Sequence, residues 1–334
     1  MFDLVVIIAE GGVTHNGSLS MAKELVKAAK MCGADIIKFQ FFEGNNLVTP
    51  STEKANYQIN KSEETQLEML RKLQLNFEDH RHLKKFCEEK KIEFLSSGFD
   101  LKSLSYLKKL NLKRYKIPSG EITNLPYLRF VGQQKKPIIL STGMSNMDEI
   151  EMALNELITA GAKKEDITIL HCTTEYPAPL YDVNLRAMNS IKNKFNIQVG
   201  YSDHTLGIEV SLAAVALGAE VIEKHLTLDN TQDGPDHKAS LEPDQFKNLV
   251  NGIRNVSISL GNGEKKIRDS ELKNISKVRK SIIAKKNIKK NELFSEKNLC
   301  SKRPGTGLSP MLWDEIIGKK ATRNYKIDDF IKLD

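Results

Sequence analysis

Eight short runs of apolar and β-branched residues recur between residue 4 and about residue 227, and nearly every one breaks off into polar side chains. The runs are Leu4–Glu10, Asp35–Gln40, Glu93–Phe99, Arg114–Ser119, Pro137–Gly143, Ile167–Thr174, Gln198–His204 and Val221–Thr227. They are nearly continuous in apolar residues rather than alternating. Such runs suit parallel strands covered on both faces, and parallel strands need long crossover connections. The stretches between them have the spacing of amphipathic helices. An open doubly wound sheet also satisfies this pattern. Eight units over about 260 residues match the usual size of a closed barrel, and no GxGxxG follows the first run, as a dinucleotide-binding sheet would have. The expected fold is α/β, a (β/α)8 TIM barrel.

The widest gap between runs, residues 41–92, holds helices over Glu64–Leu73 and Phe77–Lys90 and leaves Glu43–Ser62 as a long loop. Long βα loops are where barrels keep substrate contacts. A helix over Glu242–Leu260 completes the ring, so the barrel domain is expected over residues 1–262. The polar segment GNGEKKIRDSE then reads as a linker over 263–275. Residues 276–334 carry short strands and turns, a unit small enough to lean on a partner surface.

Lys and Arg exceed Asp and Glu by 50 − 43 = 7. The basic residues are spread along the chain rather than gathered, which fits solvated faces better than a nucleic-acid surface. No apolar run approaches the ~20 residues of a membrane span, and the N-terminus lacks the basic leader of a signal peptide. Cys32, Cys87, Cys172 and Cys300 are far apart and show no CxxC spacing. The expectation is a cytoplasmic protein that binds neither membrane nor nucleic acid.

Active sites of barrels lie at the C-terminal ends of the strands. At those ends stand Lys38 and Lys116 with Ser119, Ser141 and Ser202, a set suited to a phosphate: ammonium groups supply charge and hydroxyls supply directed donors. A lysine there can instead be a Schiff-base nucleophile, or the partner of Glu10, Glu121 or Glu223 in a structural ion pair. His204 and His225 end adjacent strands and would suit one divalent cation. Alone they fit hydrogen-bonded core residues as well. Asp236, in GlyProAspHis, is a candidate acid or base, or else the cap of a turn.

With these residues assembled, the chain resembles the sialic acid synthase family, which includes the N-acetylneuraminate, legionaminate and pseudaminate synthases. The resemblance covers nearly the whole length. It is carried by AEGGVTHNGS, DIIKFQ, YKIPSGEITNLPYL, ILSTGM, ILHCTTEYPAP, GYSDHT, VIEKHLTLD and GPDHKASLEP, and the segment KRPGTGLSP resembles the family's C-terminal antifreeze-like (SAF) domain.

The resemblance implies condensation of phosphoenolpyruvate with the open-chain aldehyde of an N-acetylated hexosamine, giving a nine-carbon 2-keto acid and phosphate. It implies a divalent metal, Mn²⁺ with Mg²⁺ or Co²⁺ as substitutes, on His204 and His225. Lys38, Lys116, Ser119, Ser141, Thr174 and Ser202 would hold phosphoenolpyruvate, and Glu10 and Asp236 would manage protons. Gln40, Glu121 and Tyr176 would meet the sugar. Arg303 would reach the sugar's N-acyl group from the other subunit of a domain-swapped homodimer. The chain departs from the family pattern at Gly11-Gly12-Val13-Thr14, at Ser97-Gly98 and at Thr174. Left open is the sugar, N-acetylmannosamine or 2,4-diacetamido-2,4,6-trideoxymannose, with Asn56 and Tyr57 of the long loop expected to bear on the choice. Two other readings stand beside this one: a lysine-dependent pyruvate aldolase using Lys116, and a glycan- or ice-binding tail on a non-catalytic barrel.

Overall fold

In a computed structural model that describes residues 5–55, 58 and 64–333, the chain divides into two compact units, Met1–Gly261 and Asn262–Asp334. Asn56 and Tyr57 lie outside the described residues.

The first unit contains all eight expected strands: β1 (Val6–Gly12), β2 (Ile36–Phe41), β3 (Glu93–Gly98), β4 (Tyr115–Ile117), β5 (Ile138–Ser141), β6 (Ile167–Cys172), β7 (Gln198–Asp203) and β8 (Val221–His225). Every hydrogen-bonded pair is parallel, in the order β3-β2-β1-β8-β7-β6-β5-β4. β3 and β4 also lie side by side, so the sheet curls round on itself as a TIM barrel. Its helices are α1 (Leu19–Cys32), α2 (Gly44–Leu47), α3 (Gln66–Leu73), α4 (Phe77–Lys90), α5 (Leu101–Lys109), α6 (Leu125–Gly132), α7 (Met147–Thr159), α8 (Arg186–Phe195), α9 (Glu209–Ala216) and α10 (Pro243–Leu260). Strand residues such as Ile7, Ile37, Leu95, Ile169, Val199 and Ile222 are fully buried, and helix residues such as Leu25, Leu83 and Leu249 pack on them from outside.

Local chemistry explains where elements begin. Ser18 accepts the amide of Met21 and starts α1, and Gly33, at φ 87°, ends it. Asn76 and Asn146 form reciprocal capping boxes with Asp79 and Glu149 at the starts of α4 and α7.

Strand ends differ from the sequence reading in instructive ways. β4 spans only three residues because Pro118 has no amide to continue the ladder, and the chain turns into a short 3₁₀ helix over Ser119–Glu121. β1 runs on to Gly12 with a register break after Glu10, where Gly12 takes φ 45°. Of the Glu43–Ser62 loop, the described part includes the single helical turn α2.

The second unit holds α11 (Asp269–Val278), an antiparallel pair β9 (Ser281–Ala284) and β10 (Leu299–Lys302), and the turn α12 (Trp313–Ile316). Ile282, Phe294, Leu299, Tyr325 and Ile331 form its own core. Helix α11 falls across the boundary expected between linker and domain, and none of its residues is buried. Its last turn is fixed within this unit by the Gly305 amide donating to the Ser276 carbonyl at 2.7 Å.

Candidate active site

Alternation along β7 and β8 sorts the strand ends into two sets. Ser202, His204, Glu223 and His225 line the barrel mouth. Asp203 and Lys224 between them form an ion pair of 2.9 Å, fully buried, with Asp203 also accepting from Ser211 and Thr205.

The mouth is a cavity of about 330 Å³. Lining it are Glu10, Lys38, Gln40, Lys116, Ser119, Ser141, Thr174, Tyr176, Ser202, His204, His225 and Asp236, twelve of the fourteen residues singled out in the sequence. Glu121 and Arg303 are not in that lining. Glu121 is buried beside the 3₁₀ turn and accepts from Asn124 Nδ2 at 2.6 Å, and Arg303 is exposed just after β10 in the second unit.

Lys38 Nζ stands 2.6 Å from Glu10 Oε2 and 3.6 Å from Glu223 Oε1, and Lys116 Nζ stands 3.5 Å from that same Glu223 oxygen. The lysines therefore do form the ion pairs weighed in the sequence, and they form them at the cavity wall. Burial works against the charge of both. For Lys38 the carboxylates of Glu10 and Glu223 outweigh burial and raise its pKa, whereas for Lys116 burial prevails and lowers it. Lys116 also donates to Ser141 Oγ at 2.8 Å. Burial pushes Glu223 up, but the two ammonium groups bring it below the usual carboxylate range. Sequence reasoning treated Glu223 only as an ion-pair partner. The two-residue period from His225 was the signal that it faces inward.

A cluster of hydroxyls that could cradle an anion adjoins Lys116. Ser119 Oγ accepts the amide of Gly143 at 2.9 Å and lies 3.3 Å from Cys172 Sγ, while Thr174 Oγ1 is buried with no hydrogen-bond partner. A Cβ on Gly143 would come within 2.6 Å of Thr174 Oγ1 and 2.9 Å of Ser119 Oγ, so the absence of a side chain there keeps the cradle open.

Across the cavity, the His204 and His225 rings lie 5.4 Å apart at 65°, and the Tyr176 ring lies 4.1 Å from that of His204 at 33°. Burial lowers His204 to about 4 and His225 well below its ordinary value, so both imidazoles are neutral at pH 7, the state in which they bind metal. His204 Nδ1 bonds the Thr173 carbonyl at 2.7 Å, which fixes its proton there and leaves Nε2, 3.4 Å from Ser202 Oγ, as the acceptor. His225 Nδ1 is buried without a hydrogen-bond partner, 3.6 Å from Asp236 Oδ2. This donor set fits a divalent cation. Among the described residues, no group of three His, Cys, Asp or Glu side chains is placed to hold one, so substrate and water would complete its shell.

Two carboxyls complete the mouth. Burial, then the charge of Glu10, raises Asp236 to about 7. Burial also raises Glu10, against the pull of Lys38. Gln40 Nε2 donates to Glu10 Oε1 at 3.1 Å. Gly12 sits between them: a Cβ there would lie 3.1 Å from Asp236 Oδ2 and 3.2 Å from Glu10 Oε1.

A parallel barrel whose mouth combines an anion cradle, two buried lysines, neutral imidazoles and a carboxyl poised near pH 7 defines an enzyme acting on an anionic substrate. A profile of the NeuB family matches residues 25–265, and one of the SAF domain matches residues 279–334. The chain belongs to the NeuB family, and the sialic acid synthase resemblance read from its motifs holds. It is 55% identical over 328 residues to the N,N'-diacetyllegionaminic acid synthase of Campylobacter jejuni, covering 98% of each chain. It is 47% identical to the enzyme of that name from Legionella pneumophila, over 95% of this chain and 90% of the relative. The N-acetylneuraminic acid synthetase structure from Leptospira borgpetersenii superposes with a TM-score of 0.73 at 32% identity, covering 81% of this chain and 90% of that one. The chain is thus a carbon–carbon bond-forming synthase that uses phosphoenolpyruvate, which sets aside the aldolase and the non-catalytic scaffold.

Proposed function

We propose that the chain makes N,N'-diacetyllegionaminic acid from phosphoenolpyruvate and 2,4-diacetamido-2,4,6-trideoxymannose, releasing phosphate. The observation that carries this reading is the 55% identity to the Campylobacter synthase over nearly the full length of both chains. Relatives named pseudaminic acid synthase and N-acetylneuraminate-9-phosphate synthase stand further off, at 38% and 35%.

The residues of the mouth divide the work. Lys38, Lys116 and the hydroxyls of Ser119, Ser141, Thr174 and Ser202 hold the phosphate and carboxylate of phosphoenolpyruvate, with directed donors supplementing charge. Gly143, lacking a side chain, lets an anion approach Thr174 and Ser119 closely. Tyr176, its ring 4.1 Å from that of His204, and Gln40 orient the sugar so that C3 of phosphoenolpyruvate meets the aldehyde carbon.

His204 and His225 would hold a divalent cation, Mn²⁺ with Mg²⁺ or Co²⁺ as substitutes, which when bound supplies Lewis acidity toward the aldehyde oxygen. The protons fall to the carboxyls. A new C–C bond leaves C2 of the former phosphoenolpyruvate cationic; water adds there, giving up a proton, and the C2–O bond to phosphate then breaks. With its pKa near 7, Asp236 can take and return that proton at Oδ2, and Glu10, held by Lys38 and Gln40, supports the developing charge.

A homodimer with exchanged second units, each lending Arg303 to its partner's sugar, belongs to this reading. Support for it is the exposed guanidinium of Arg303 on a unit of about 70 residues, a size for which partner surface adds needed burial. So does a cytoplasmic location, in keeping with four free cysteines. No helix of the described residues is long and apolar enough to cross a membrane.

Phosphate release from phosphoenolpyruvate with Mn²⁺, offering each of the two sugars in turn, tests the assignment. Release that requires the trideoxy sugar supports it. Release only with N-acetylmannosamine reassigns the product, and release with neither overturns the reading.

A further inference from the structure

One wall of the cavity takes no part in the anion or proton chemistry. Val13, Phe42, Met69, Leu70 and Leu73 form a buried cluster separate from the main core, and all five line the cavity. They come from the segments that follow β1 and β2 and from α3. The anion cradle is built on β4, β5 and β6, and the imidazoles on β7 and β8. A sugar whose aldehyde faces the imidazoles, beside the anion cradle, can turn its far end toward this apolar wall.

Gln66, in the first turn of α3, stands in the same wall. Its Nε2 donates to Gln58 Oε1 at 3.0 Å, while its Oε1 is buried with no hydrogen-bond partner. An unsatisfied buried acceptor is costly, and an amide N–H brought by a ligand would satisfy it. The five apolar side chains of the same wall accept methyl groups, whereas a hydroxyl pressed against them loses its water and finds no replacement.

We propose that this wall selects the sugar: the methyl carbon C6 of the trideoxy hexosamine packs on Met69, Leu73 and Phe42, and Gln66 Oε1 accepts the N–H of its C4 acetamido group. The inference rests on the synthase reading above and names the residues behind its substrate choice. N-acetylmannosamine would set hydroxyls at C4 and C6 against the same wall and leave Gln66 less well paired.

The test compares kcat/KM on the unmodified enzyme, with saturating phosphoenolpyruvate and Mn²⁺, for three sugars. These are 2,4-diacetamido-2,4,6-trideoxymannose, its counterpart with the C6 hydroxyl restored, and N-acetylmannosamine. Restoring the hydroxyl should lower kcat/KM by about 10- to 200-fold, the range one such change commands in an apolar pocket, and N-acetylmannosamine should be poorer still. Met69→Gln should shrink the C6 preference by about tenfold or more. Gln66→Leu should shrink the preference for the C4 acetamido group and leave the C6 preference in place, and in both variants KM for phosphoenolpyruvate should stay put. Near-equal use of the C6-methyl and C6-hydroxyl sugars by the unmodified enzyme overturns the proposal, as do variants that scale all three sugars alike. Because the first comparison needs no substitution, a variant that fails to fold leaves the proposal decided by it. An unmodified enzyme that releases no phosphate with any of the three sugars overturns the synthase reading itself, a failure distinct from loss of selectivity.

Discussion

The imidazoles of His204 and His225 stand 5.4 Å apart on neighbouring strands, and burial holds both neutral. A neutral pair sharing one face of a cavity is prepared for a cation without first losing protons. Replacing His225 by Ala should lower Mn²⁺ affinity by at least about tenfold and activity with it. Titration of Mn²⁺ by electron paramagnetic resonance reads the affinity directly. Unchanged affinity would remove His225 from the set of metal ligands.

Lys38 serves two ends, and they can be separated. Lys38→Met leaves Glu10 and Glu223 short of a buried counter-charge, a loss on the order of 3–5 kcal/mol of stability. Adding Glu10→Gln should recover much of the melting temperature, because the remaining buried charge is then smaller. Turnover should not recover in the double variant, because both the ammonium group that meets the substrate and the Glu10 carboxylate beside it are gone. Recovery of turnover together with stability would make Lys38 a structural residue only.

Gly143→Ala asks whether the cradle by Thr174 and Ser119 takes the phosphate. The new methyl would occupy the space against both hydroxyls, so KM for phosphoenolpyruvate should rise by about tenfold or more while KM for the sugar changes little. A rise confined to the sugar would move the anion site elsewhere.

Stability should also depend on His80, which lies outside the catalytic mouth. It is fully buried against Phe41 and Phe94, and burial lowers its pKa to about 4 despite its bond to the Asn76 carbonyl. The unfolded chain, with an ordinary imidazole, takes up the proton first. Stability is therefore whole above about pH 6.5 and falls as the pH drops toward 4, by up to about 3 kcal/mol from this residue. Denaturant melts of His80→Leu across that interval should show a shallower decline. An unaltered slope would assign the acid sensitivity to other groups.

Mixing two inactive proteins probes the exchanged dimer. If Arg303 completes the partner's site, Arg303→Ala and His225→Ala subunits refolded together should regain about a quarter of the activity, since half the dimers are mixed and each mixed dimer has one intact site. No recovery from two inactive parents, with mixed dimers demonstrated, would mean that Arg303 acts within its own chain.

Much of this was legible in the residues. The switch from apolar runs to Lys38, Ser141, Ser202 or His225 marked the strand ends, because a barrel mouth is where a parallel strand meets substrate. Tertiary placement decided the rest. Pro118 was visible, but that it shortens β4 and swings Glu121 out of the cavity lining depends on the turn that follows. Helix α11 leaves a weak signal because it buries none of its residues and sets Leu272, Ile275 and Val278 among charged and polar neighbours. The apolar wall was hidden for the opposite reason: Met69, Leu70 and Leu73 have the spacing of any core-facing helix, and only the fold shows that their core is the rim of a substrate cavity.

In the proposed mechanism, carbon–carbon bond formation is followed by water adding at C2 and phosphate leaving with its bridging oxygen. The reaction run in water labelled with heavy oxygen tests this most directly, with the released phosphate analysed by mass spectrometry. Unlabelled phosphate, released in step with nine-carbon product, is the expected result. Labelled phosphate would mean that water attacked phosphorus instead, and would contradict the assignment of Asp236 and Glu10 to a water that adds to carbon.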